Sequence, residues 1–109
     1  MKRKTKLKTH NFKVGDYVTL NALGRRTFSE NYNAVNNVTR RKCVENRLRN
    51  LLSGVIIEEI SQLDCTLHGC NKYAQVSFDG GGVLLCYLKR VNSIKRIKEI
   101  TKRIVAMKL

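Results

Sequence analysis

Apolar positions recur along this chain with two different periods, and the switches between them divide it into segments. Val14, Val18 and Leu20 lie on one side of an alternating stretch interrupted by Asp16, which predicts a short half-buried strand over 14–20. Gly54-Val-Ile-Ile-Glu-Glu-Ile60 predicts a second strand, β-branched and opened by glycine. Two further β-rich runs, 73–78 and 83–88, flank Asp79-Gly-Gly-Gly82 and read as a hairpin. A four-residue turn sets Val76 opposite Leu85. Ala74, Val76, Phe78, Val83, Leu85 and Tyr87 then face the core, and Leu84, Cys86 and Leu88 make a second apolar stripe behind them.

The helical period takes over at the end of the chain. Ile94, Ile97, Ile100, Ile104 and Met107 are spaced by three or four, which predicts an amphipathic helix over 93–107 with Asn92 or Ser93 at its start. Ile97 and Ile100 are expected to cover Leu84 and Leu88. The stretch 21–52 is too long for a plain loop, and its second half, 35–52, reads as a helix with Val35, Val38, Val44, Leu48, Leu51 and Leu52 inward. Glu45 is spaced to pair with Arg41 and Arg49. The expected class is α+β: a small antiparallel, barrel-like sheet with a helical insert at 21–52 and a C-terminal amphipathic helix. Residues 1–12 read as a basic flexible arm and 13–109 as one domain.

Charge changes the picture more than any other property. Lysine and arginine number 22 against 8 acidic residues, a net charge of +14, and such an excess costs stability through self-repulsion. It points to a polyanionic partner, nucleic acid first. The clusters are Lys2, Arg3, Lys4, Lys6 and Lys8 in the arm, Arg25 and Arg26, then Arg40, Arg41, Lys42, Arg47 and Arg49 in the insert. Lys89, Arg90, Lys95, Arg96, Lys98, Lys102 and Arg103 follow near the C-terminus. These are the candidate nucleic-acid-binding residues. Aromatic residues are 6% of the chain, and the candidate stackers are Tyr32, Tyr73 and Tyr87, with Tyr87 read as core. Phosphate contacts should therefore lead and base readout should be minor.

The reactive residues suggest no enzyme. Asp64 and Glu58-Glu59 lack a partner to divide acid and base roles, and His10 sits in the arm. Gly80-Gly81-Gly82 lacks the Lys-Ser/Thr of a phosphate-binding loop and reads as a turn. Cys65, His68 and Cys70 fall within six residues, but neither Cys43 nor Cys86 stands in a second paired knuckle, so free thiols are expected rather than zinc, and no cofactor. Cys43 follows three cations, which favour a thiolate; a helix-packing thiol is the simpler reading. No apolar run reaches the roughly 20 residues of a spanning helix. No secretory signal is evident, so a cytoplasmic protein without a membrane partner is expected.

Val14-Gly-Asp-Tyr-Val, Ser53-Gly-Val-Ile-Ile, Ala74-Gln-Val-Ser-Phe-Asp-Gly and Leu88-Lys-Arg-Val, in that order, resemble the strands of a small Src-homology-three-type barrel, including its KOW-like and Tudor-like members. The same segments resemble those of small basic bacteriophage proteins of unknown role. The first resemblance implies a module of ribosomal or transcription machinery and hence RNA slightly ahead of DNA. The second implies a phage inhibitor docked on a host nucleic-acid machine such as a defence nuclease, and the basic tails also suit a structural component of a ribosome or virion.

Overall fold

The computed structural model describes residues 11–67, 69–78 and 82–108, the side chains of Met107 and Lys108 excepted. The arm cations Lys2 to Lys8, His10, His68 and the turn residues Asp79 to Gly81 lie outside the described residues. Five strands form one open antiparallel sheet in the order β4-β3-β2-β1-β5: β1 Tyr17–Leu20, β2 Val55–Leu67, β3 Cys70–Val76, β4 Gly82–Leu84 and β5 Leu88–Arg90. Three helices accompany it, α1 Ala22–Ala34, α2 Val38–Ser53 and α3 Ile94–Lys108. The class is α+β, and the sheet does not close on itself.

Buried cross-strand pairs hold the sheet centre: Val18 with Val55, Leu20 with Leu88, Ile57 with Val76 and Ala74 with Val83. Phe28 of α1, Leu51 of α2 and Tyr87 complete that core. Phe28 and Tyr87 meet edge to face at 5.9 Å, a favoured aromatic geometry. Phe12, placed in the arm by the sequence, packs against this cluster as well.

Several expectations are corrected here. The first strand begins at Tyr17 rather than Val14, because the Asp16 carboxylate accepts from the Lys13 amide at 2.8 Å and the Asp16 amide donates back to the Lys13 carbonyl at 3.0 Å. That turn leaves Val14 on the surface. The second strand runs on to Leu67 and folds back as a hairpin, with Leu67 paired to Cys70. Val76 pairs with Ile57, and Val83 stands opposite Ala74, so the expected Val76–Leu85 register is displaced by four residues. The cause is local. Phe78 takes φ +67°, which turns the chain after Val76, and Leu85–Tyr87 coil into a 3-10 turn that buries Leu85, Cys86 and Tyr87 together. Displacement by an even number kept Ala74 and Val83 inward.

The insert is helical in both halves. Asn21 caps α1 by accepting from the Gly24 amide at 2.9 Å, and its amide group donates to the Cys86 carbonyl at 2.7 Å and the Leu88 carbonyl at 3.3 Å, which ties α1 to the sheet. Ser93 caps α3, as expected. Ile100 is 1% exposed, but its methyl group lies against Gly54 at the junction of α2 and β2; Leu84 instead lines a groove with Leu63, Leu67 and Tyr73. Gly54 has φ +109°, and a Cβ there would stand 2.4 Å from Ile100 Cδ1. Gly54→Ala is therefore expected to destabilise the fold by about 2–3 kcal/mol, from strain at positive φ and overpacking. Urea denaturation measures it.

Candidate nucleic-acid interface

The helices that carry most of the cations also explain why those cations are not equivalent. An arginine within reach of a carbonyl or an aromatic ring forks onto the first and stacks on the second, whereas a lysine remains a solvated point charge. Arg41 donates to the Val35 carbonyl at 2.9 Å and lies 5.6 Å from the Tyr32 ring centre. Arg47 donates to the Gly82 carbonyl at 2.7 Å and covers Phe28 at 4.9 Å, tying α2 to the edge strand β4. Arg49 pairs with Glu45 at 2.8 Å. Arg90 pairs with Asp16 at 3.3 Å, bonds the Asn11 carbonyl and covers Phe12. Arg96 reaches the Leu52 carbonyl at 3.4 Å, and Arg103 the Gly54 carbonyl at 3.1 Å with Phe78 under its guanidinium at 4.7 Å. These six arginines fasten the fold.

The other described candidates form a different set. Arg25, Arg26, Arg40, Lys42, Lys89, Lys95, Lys98 and Lys102 are all exposed, and among the described residues none has a side-chain hydrogen bond or ion pair. Lys95, Lys98 and Lys102 share one side of α3 by their three- and four-residue spacing, turned away from buried Ile100. Lys89 is exposed on β5. It pairs across the sheet with Thr19, whose hydroxyl donates to the Leu52 carbonyl that Arg96 also reaches. Arg40 and Lys42 stand at the other end of α2, about 18 Å along its axis from Leu52 at the usual helical rise. Arg25 and Arg26 lie on the opening turns of α1. Glu58, Glu59 and Asp64 are exposed on β2, so the hairpin side of the molecule is acidic while the helices are basic.

Few other groups have the surroundings of a reactive centre. Cys70 is buried and donates to the Lys72 carbonyl at 3.2 Å, whereas Cys43 and Cys65 are exposed. Among the described residues no three histidine, cysteine or acidic side chains gather as a metal would need. Burial, chiefly, raises the Tyr87 phenol above its ordinary value, as suits a core tyrosine. Tyr73 is half-buried, and its ring lies over Gly82.

Sequence reasoning missed Asn50 and Phe78. Phe78 packs against the core as its pattern predicts, but from a turn rather than a strand, half-buried beside Asn50, Arg103 and Ala106 at a cleft of about 310 Å³. The adjoining Asp-Gly was the only signal of a turn there. No protein family, curated protein or solved structure matches this chain.

Proposed function

We propose that this is a non-enzymatic nucleic-acid-binding accessory protein whose helices hold lysine and arginine against a phosphate backbone, RNA slightly ahead of DNA by the barrel resemblance of its strands. The observation that carries this reading is the division of the cations. Six arginines serve the fold, and eight of the candidate cations are exposed with no ion pair among the described residues. Folding does not need them, and mutual repulsion makes them a cost that a polyanion removes. Their placement on three helices and β5 suits backbone contacts, which orient a protein without reading sequence.

A membrane surface is a poorer partner. The central apolar residue of α3, Ile100, is already buried in the fold, and no helix among the described residues is long and apolar enough to cross a bilayer. The proposed site of action is the cytoplasm, that of a host cell for a phage-borne gene. A second reading, docking on a host nucleoprotein machine, is favoured by the apolar groove at Leu63, Leu67, Tyr73 and Leu84, built on the hairpin strands rather than on the lysine-bearing side of α3.

Purification from cells with and without nuclease treatment tests the proposal. Nucleic acid should co-purify and be lost, with any associated proteins, after digestion. A protein partner that survives digestion would favour docking, and a preparation free of nucleic acid at low salt would reject direct binding.

A further inference from the structure

The cleft between α2, α3 and the turn after β3 brings together three side chains, Phe78, Arg103 and Asn50. Phe78 holds φ +67°, a left-handed conformation that strains a non-glycine residue. One side of the Phe78 ring packs against the hydrophobic core, and the half that stays exposed borders the cleft. The ring is held in place by the Arg103 guanidinium at 4.7 Å, itself anchored on the Gly54 carbonyl. Asn50 is half-buried at the cleft, and its side-chain amide makes no hydrogen bond among the described residues, although its backbone carbonyl caps α2 by accepting from Gly54.

An aromatic ring, a planar cation and an unpaired carboxamide form the recognition set of an unpaired nucleobase. A base stacks on the ring or the guanidinium plane, and asparagine offers one acceptor and two donors to its edge. Lys102, one residue before Arg103, is exposed for the phosphate of such a nucleotide. The volume, about 310 Å³, lies at the small end of the range for ligand clefts, as one base requires. We propose that this cleft binds a single unpaired base of the strand that the lysine-rich helices hold. This rests on the nucleic-acid reading above and adds to it a contact that only a single strand can make.

The test compares a short oligoadenylate with a strand of equal length and charge made of abasic sugars, each on ribose and on deoxyribose backbones, by fluorescence anisotropy at fixed salt. Adenine is the apt probe because asparagine matches its N6 and N7 edge. The base-bearing strand should bind at least about 5-fold more tightly, and discrimination on either backbone supports the pocket. In Phe78→Gly, where glycine accepts the backbone geometry, that ratio should fall close to one while the salt dependence stays as in the unaltered protein. In Asn50→Ala it should fall about 3-fold. Equal affinity for the two strands in the unaltered protein, or an unchanged ratio in Phe78→Gly, overturns the pocket and leaves backbone binding standing. No binding of either strand at low salt overturns both.

Discussion

Ile100→Asp should lower the stability of the domain by about 4 kcal/mol. The side chain is 1% exposed and fills the space above Gly54, so truncation alone costs roughly 2–3 kcal/mol of burial. The carboxylate adds the cost of desolvation. Arg96 and Arg103 stand on the same side of α3 but are committed to the Leu52 and Gly54 carbonyls, so rescue by either would break a bond that fastens the helix. Since such a domain has only about 5–15 kcal/mol in total, the variant should melt far earlier than the parent. Ile100→Val should cost about 1 kcal/mol. Equal urea midpoints for Ile100→Asp and the parent would mean that α3 is not docked as described.

The second large effect falls on binding and leaves the fold untouched. Lys95, Lys98 and Lys102 are exposed, and glutamine at all three should change stability by less than about 0.5 kcal/mol. If each meets a phosphate, the slope of log K against log salt should flatten by about two units on a single strand, at about 0.7 per phosphate. Affinity at low salt should fall by more than an order of magnitude. Arg49→Gln provides the contrast: its charge is already compensated by Glu45, so the slope should hold nearly constant. An equal loss in both variants would show that the division between fold arginines and free cations has no bearing on binding.

Local periodicity carried what could be read from the sequence. The stripe Ile94, Ile97, Ile100 and Ile104, with Ser93 before it, marks α3 almost to the residue. Helix α1 was hidden because Leu23, Phe28, Tyr32 and Val35 recur at five, four and three. Its close packing, moreover, rests on Gly24, whose place of a Cβ is taken by the Tyr87 carbonyl. The hairpin register goes with the backbone turn at Phe78 and the 3-10 turn at Leu85–Tyr87, which no hydrophobic pattern encodes. Which cations are free was equally illegible. Arg47, Arg96 and Arg103 find their carbonyl acceptors 35, 44 and 49 residues away in sequence, so their structural roles arise only from tertiary contact.

The central claim is that the uncompensated cations exist to meet a phosphate backbone, and the salt dependence of binding tests it most directly. Titration of the full chain against a single strand and a duplex across a salt series should give straight lines in log K against log salt. With about six phosphates neutralised, the slopes should be about −4 and −5 respectively. A slope near zero, or no interaction with either RNA or DNA at low salt, would contradict it.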